Sequence, residues 1–424
     1  MKRVLLVAAK TGYQVREFHS AADRIGVELV LATDRCHVLD DPWADQATPI
    51  EFARPEPGIA ALEQRGPFDG ILAVGDAPAY VAAQAAERLG LRFHPAEAVR
   101  AANDKFLTRE RFRATGLNVP EYRLSGEPSR YPCVVKPLHS SASRGVMRAD
   151  NREEFEQASA RIRKMTHGGP ILVEDFIPGR EFALEGLMTR GCLTALALFD
   201  KPDPLDGPYF EETIYVTPSR ESSQTQRAIV ETAQRAASAL GLADGPVHVE
   251  MRVNSKGVWM LETAARPIGG LCARALRFER FRRADFSPRG ASAPLLASEA
   301  EASRGLKPAL HDTLEQLLLL HALGEDVSRF LLAPGGHGVM MIPIPRSGVF
   351  LGAEGIEEAR EIAGITEIEV TAKEGQQLQA LPEGATYLGF IFSRARSPEQ
   401  AERALRLAHA RLRFNIGQSL PVVT

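Results

Sequence analysis

The sequence predicts a chain of mixed α/β and α+β class, with an N-terminal parallel-sheet domain, a central domain of antiparallel sheets and a C-terminal α+β domain. Three observations carry this expectation. Short apolar strands alternate with helical patterns through the first hundred residues, as crossover connections require. Beyond about Ala96 the strands follow one another through tight turns. A stretch rich in Arg, Ser, Ala and Pro, Arg277 to Lys307, then interrupts the periodicity. The domains expected are 1–95, 96–277 and 308–424, with 278–307 a mobile insertion or linker.

In chain order, Val4 to Ala9 is a first strand, Gln14 to Ile25 a helix, Glu28 to Ala32 and Gly70 to Val74 further strands, and Tyr80 to Leu89 a helix. The strand Gly70 to Val74 ends at Gly75-Asp76, which reads either as part of a substrate crevice at strand carboxyl ends or as a plain turn. A helix containing Asn103-Asp104-Lys105, an extended Val119 to Tyr122 and a strand Tyr131 to Lys136 open the second domain. Ile171 to Ile177 and Glu181 to Gly186 read as two strands around the turn Pro178-Gly179-Arg180, with Glu181 and Glu185 on one face. In the third domain, Thr313 to Leu323 is an apolar helix, Gly338 to Ile344 and Thr386 to Ser393 are strands, and Pro398 to Leu412 is an amphipathic helix.

Composition narrows the partners. With 51 basic and 54 acidic side chains the net charge is −3, which gives no general attraction to nucleic acid or to an anionic membrane. No apolar run reaches the ~20 residues of a membrane helix. Cys36, Cys133, Cys192 and Cys272 are widely spaced, without a CxxC pair, and read as thiols of a cytoplasmic protein. An anionic ligand must therefore be held by local design.

Lys136 ends an apolar strand and is followed by the small, hydroxyl-rich loop Ser140-Ser141-Ala142-Ser143-Arg144-Gly145. An ammonium beside such a loop suits phosphate oxygens, with Ser140, Ser143 and the Gly145 backbone as donors. A surface turn uses the same residues. The stretch Glu174-Asp175-Phe176-Ile177 precedes the turn that leads to Glu181, where a carboxylate can accept both hydroxyls of a ribose while the first strand's backbone reads an adenine edge. An exposed acidic edge is the alternative.

The strongest signal is the hairpin Val247 to Glu262. Asn254-Ser255-Lys256-Gly257 has the form of a three-residue loop with a glycine bulge, so Asn254 faces Val258 and Glu250 faces Glu262. Opposed carboxylates destabilise a sheet unless a cation joins them, and oxygen ligands of this kind suit Mg²⁺; a solvated acidic face is the alternative. Val247, Val249, Met251 and Val253 point to an apolar face, leaving His248, Glu250, Arg252, Met260, Glu262 and Ala264 on the other. Arg266, with Pro267 to Gly270, follows directly; it either meets a transferred phosphoryl group or merely pairs with an acid.

These three pieces, in this order, resemble the ATP-grasp superfamily, and within it the L-amino-acid ligase branch, which makes dipeptides and related amides. Asn103-Asp104-Lys105, Gly116 to Pro120, the Gly-Val-Phe-Leu strand at 348–351 and Tyr387-Leu388-Gly389-Phe390 extend the likeness. The resemblance implies that Lys105, Lys136 and Lys201 contact ATP, that Glu174 to Ile177 hold adenine and that Glu181 holds ribose. It further implies that Glu250 and Glu262 ligate Mg²⁺, with Mn²⁺ as an alternative. Arg266 would stabilise an acyl phosphate, and His248 would lie near the substrate. Relatives often carry Asn where this chain has Ala264, which cannot ligate a second metal.

The function implied is a carboxylate–amine ligase that releases ADP and phosphate and uses small-molecule carboxylate and amine substrates of amino-acid type, with homodimer formation left open. A carboxylase or purine-pathway type of ligase acting on bicarbonate or a phosphorylated substrate, a small-molecule kinase and a nucleotide-binding protein without turnover are the rivals.

Overall fold

The computed structural model describes residues 1–9, 14–34, 47–280 and 312–418. The N-terminal sheet is parallel, in the order Thr48–Pro49, Val27–Thr33, Lys2–Ala8, Gly70–Val74. Its central strand is buried on both faces. Leu5 and Val7 enter one core with the helices Glu56–Arg65 and Asp76–Leu89, whereas Val4, Leu6 and Ala8 enter another with the helix Val15–Ile25. Two-sided burial explains why this strand reads as a continuous apolar run. The helix expected from Tyr80 begins earlier, at Asp76, because Gly75 adopts φ 101° and turns the strand end directly into it.

The expected single helix through Asn103–Lys105 is two helices, Ala96–Ala102 and Lys105–Ala114. Asp104 is extended and its carboxylate accepts from the Phe106 and Leu107 amides, so a cap sits where continuity was expected.

Two antiparallel sheets follow. The smaller has the strands Tyr122–Leu124, Ile171–Asp175, Cys133–Pro137 and Met147–Ala149. The larger has eight strands: Gly257–Ala264, Gly245–Asn254, Arg180–Thr189, Cys192–Lys201, Ile214–Thr217, Gly336–Ile342, Gly389–Ala395 and Ile365–Val370. Strands on both sides of position 308 thus share one ladder, through the pairing of Ile214–Thr217 with residues 337–340.

The two strands flanking Pro178-Gly179 do not form a hairpin. Ile171–Asp175 lies in the small sheet and Arg180–Thr189 in the large one, so residues 176–179 are a hinge between sheets. The hinge runs tight against the hairpin: a Cβ on Gly179 would stand 2.5 Å from the Val253 carbonyl oxygen. Even spacing does keep Glu181 and Glu185 on one face, opposite the core positions Phe182 and Leu184.

At the segment expected to be a linker, Phe278–Arg280 is a strand paired with Phe330–Leu332. The rest of that expectation, from residue 281 to 307, lies outside the described residues, as does Cys36. Cys133, Cys192 and Cys272 are free thiols. Among the described residues no helix is long and apolar enough to cross a membrane. The helix Pro398–His409, capped by Ser397, packs with the strand residues Met340, Ile342 and Ile391 in the C-terminal core.

Candidate active site

Between the two antiparallel sheets lies a cavity of about 390 Å³ whose floor is the large sheet. Lys105, Lys136, Ser140, Ser143, Glu174 to Ile177, Glu181, His248, Glu250, Glu262 and Arg266 all line it, although they are spread through the sequence from 105 to 266. Two expected contacts are set back from the lining. Gly145 packs on Pro137 and donates its amide to the Pro382 carbonyl at 2.8 Å, and Lys201 is buried beneath the floor.

The hairpin that carries the carboxylate pair closes differently from the sequence expectation. Asn254 accepts from the Lys256 amide at 2.9 Å, so the loop has two residues and Asn254 pairs with Gly257 rather than with Val258. A bulge at Leu261 then restores the register, and Glu250 does face Glu262. The bulge also turns Met260 away from the cavity into the core with Met251, correcting its expected face. The extra residue is used: Leu261 lines the cavity, and its carbonyl accepts from Arg109 at 2.7 Å.

Opposed in register, the two glutamates keep different company. Glu250 meets Lys201 at 3.0 Å and His248 Nε2 at 3.5 Å, whereas Glu262 meets Lys105 at 3.6 Å and is more exposed. Burial opposes ionisation of Glu250, but Lys201 and His248 outweigh it and hold the carboxyl well below its ordinary value. His248 is in turn bound at Nδ1 by Glu185 at 3.1 Å; burial pulls the imidazole down, the two carboxylates prevail, and its pKa stands at about 9.

Glu181, Glu212 and Glu250 converge until one oxygen of each lies within 4.8 Å of the others. The charge among them is balanced by Lys201, whose Nζ is 2.6 Å from Glu212 and 3.0 Å from the other two. Glu262 stands outside this cluster; it faces Glu250 across the hairpin and lines the cavity with it, so the two carboxylates offer hard oxygen donors of the kind that suit a divalent cation. Ala264 is buried and offers no donor.

At the end of the cavity that holds Lys136, Glu174 is the anion beneath that lysine. Its carboxylate receives Lys136 at 2.5 Å and Arg109 at 2.6 Å. Burial raises its pKa, yet the two cations overcome this and set it at about 2. Its carboxylate is thereby engaged inside the protein. Phe176 lies between Arg148 and Arg252, 4.4 and 5.0 Å from the ring centre, and Arg252 also binds Glu181 at 2.9 Å and the Ile177 carbonyl at 2.8 Å.

Arg266 pairs with Asp76 at 2.7 Å, so the N-terminal strand end reaches the carboxylate hairpin. Burial disfavours the Asp76 carboxylate, but Arg266 outweighs it and holds the pKa below the usual value. The loop after Arg266 is fixed on both sides: the Ile268 amide donates to Glu185, and its carbonyl accepts from Gln14 at 2.6 Å. Gln14, Arg109, Glu185, Glu212, Tyr215 and Met341 contribute here without having been assigned site roles from sequence. Of these, Glu212 and Glu185 had a legible signal, an acid in a strand-rich region; Tyr215 and Met341 are ordinary core types by pattern, and Gln14 and Arg109 are types that ordinarily lie at the surface, buried here by long-range partners.

Residues 129–275 match the family model of the ATP-grasp domain, residues 18–92 that of the ATP-grasp N-terminal domain, and residues 340–417 that of L-amino acid ligase C-terminal domain 2. The chain is 27% identical over 268 residues to the ATP-grasp enzyme fsqD of Aspergillus fumigatus, covering 57% of this chain and 46% of that protein. It is 27% identical over 219 residues to the alanine–anticapsin ligase of Bacillus subtilis, covering 44% and 46%. The matches thus span about half the length of these curated relatives. The crystal structure of an L-amino acid ligase from Bacillus licheniformis aligns over 99% of both chains with a TM-score of 0.76 at 25% identity. An N5-carboxyaminoimidazole ribonucleotide synthetase from Thermotoga maritima aligns over 99% of this chain and 100% of its own, with a TM-score of 0.66 at 15% identity, a likeness of fold.

Proposed function

We propose that this chain, which belongs to the ATP-grasp superfamily, is an ATP-dependent ligase that joins the carboxylate of one amino acid to the amine of another and releases ADP and phosphate. The observation that carries the reading is Arg266 beside the Glu250–Glu262 pair, in a cavity whose other end holds Lys105 and Lys136. Two anions, a substrate carboxylate and a triphosphate, can be brought together only where fixed cations offset their repulsion.

Lys105 and Lys136 would hold the phosphates from the small-sheet side, Glu181 the ribose, and the backbone of 174–177 the adenine edge. Glu250 and Glu262 would ligate magnesium, with manganese the alternative. The metal, when bound, screens the triphosphate charge and keeps its oxygens in line for displacement. Arg266 would orient the donor carboxylate, one oxygen of which attacks the γ-phosphorus as the bond to ADP breaks. The amine then attacks the acyl carbon, phosphate leaves, and the nitrogen loses a proton. Glu212 places a carboxylate at the substrate end, suited to an amino acid's ammonium. The serine loop over the phosphates would exclude water from the acyl phosphate.

Incubation with ATP, magnesium, hydroxylamine and candidate amino acids tests this. The expected products are a hydroxamate, ADP and phosphate. Release of AMP and pyrophosphate would refute the acyl-phosphate route, and a stable phosphorylated product would identify a kinase.

A further inference from the structure

The substrate end of the cavity has a wall that the chemistry above does not use. Met341 lines it from the strand Gly336–Ile342, and Tyr387 from just before the strand Gly389–Ala395. Cys272 and Ile268 complete it from the segment after Arg266. Strand alternation puts Val339 and Met341 on this side, in one core with Tyr215, Ile268 and Cys272, while Met340 and Ile342 face the C-terminal core.

Met341 is held in register by its amide, which donates to the Thr213 carbonyl at 2.7 Å, directly beside Glu212. Tyr387 is braced edge-on against Phe390 at 6.0 Å. The charge nearby is partly engaged: one oxygen of Glu212, Oε1, meets both Lys201 and the Tyr215 hydroxyl at 2.6 Å. Burial pushes the Cys272 thiol far up, so it remains neutral. Next to the Arg266 guanidinium and the Glu212 carboxylate there is thus a wall of thioether, aromatic ring, neutral thiol and isoleucine.

We infer that Met341, Tyr387, Cys272 and Ile268 form the side-chain subsite for the acyl donor, and that the donor is an α-amino acid with a large apolar side chain. The inference rests on the ligase reading and deepens it. Two of the four residues, Met341 and Tyr387, come from the segment after residue 312, so the C-terminal strands of the shared sheet set donor choice although the phosphates and metal are handled by residues before 267. A charged side chain placed against this wall would lose water without gaining a partner.

The test uses the full chain with ATP and magnesium, and hydroxylamine as the acceptor, so that only the donor varies. Leucine, methionine and phenylalanine should exceed glycine, aspartate and lysine in kcat/KM by about tenfold or more, the scale on which an apolar pocket discriminates. Met341→Trp fills the subsite and should move the preference from phenylalanine toward alanine by about tenfold, with KM for ATP unchanged. Tyr387→Ala, which enlarges it, should move the preference the opposite way and serves if the first variant fails to fold. Preference for charged donors, or variants that slow every donor equally, would overturn the subsite. No ADP release with any amino acid would instead overturn the ligase reading, and the subsite with it.

Discussion

Arg266 donates from Nε to Asp76 Oδ1 at 2.7 Å across 190 residues of sequence, joining the end of a parallel strand to the loop that leaves the carboxylate hairpin. The pair is partly buried, and a second bond from Arg266 to the Pro267 carbonyl at 3.1 Å helps to orient the guanidinium. Arg266 still lines the cavity with the rest of its donors.

Asp76→Asn should therefore lower the rate of carboxylate activation while leaving ATP affinity in place. A hydrogen bond between charged partners contributes roughly 1.5–3 kcal/mol, which predicts a fall of about ten- to a hundredfold in single-turnover ADP formation. An unchanged rate would show that Arg266 needs no such anchor.

Glu174 gives a pH prediction whose sign follows from its partners. Its folded pKa is about 2 against an ordinary 4.5, lowered because Arg109 and Lys136 outweigh burial. The stabilisation is complete above pH 4.5 and is lost as pH falls toward 2, on the order of 3 kcal/mol. Urea unfolding across that window should show the loss in the native protein. Glu174→Gln, less stable at neutral pH, should lack that part of the slope; an identical slope would remove Glu174 from the acid response.

Much of this site was legible in the sequence because its residues lie at the ends of apolar strands, where periodicity is strong. Lys136 and the hinge 174–177 have that property, while the facing glutamates lie within a hairpin whose alternation is equally regular. The hairpin shows the limit: the Glu250–Glu262 register is right, but through a two-residue turn plus a bulge instead of a three-residue loop. The Asn254 side chain selected the turn, and the Arg109 contact helps to hold the bulged Leu261, a pairing between residues 152 apart that no local pattern signals. The hinge misread has a similar cause. A Pro-Gly turn between two apolar runs looks the same whether the strands pair or enter different sheets, and only long-range partners decide. Arg266 had two readings, and the structure shows the acid-pairing one alongside its place in the cavity.

The two facing glutamates should separate when each is neutralised. Glu262→Gln removes a ligand from the open side and leaves the buried network intact, so turnover at ordinary magnesium should fall most of the way while thermal stability stays near the original. Glu250→Gln instead leaves Lys201 and His248 short of a counter-charge and should lower the melting temperature as well. Full activity of Glu262→Gln at ordinary magnesium would remove it from the metal site.

The last prediction concerns closure over the phosphates. The serine loop is tied to a turn more than two hundred residues later: the Gly145 amide reaches the Pro382 carbonyl at 2.8 Å, and Arg144 reaches the Glu383 carbonyl at 3.1 Å. Arg161, on the helix Arg152–Met165 of the same small-sheet unit, grips the Glu383 carboxylate with two bonds of 2.5 and 2.9 Å. An exposed ion pair alone contributes little, but a two-pronged one beside two further bonds can bias a hinge. Glu383→Arg should hold the unit open more of the time, and water would then compete with the amine for the acyl phosphate. The expected signature is a rise in ADP formed per amide formed, by about two- to fivefold if roughly 0.5–1 kcal/mol of closure is lost. Combining it with Arg161→Glu should restore the ratio, because the pair is rebuilt with its charges exchanged. A ratio that stays raised in the double variant, or never rises in the single one, would show that the contact does not govern closure.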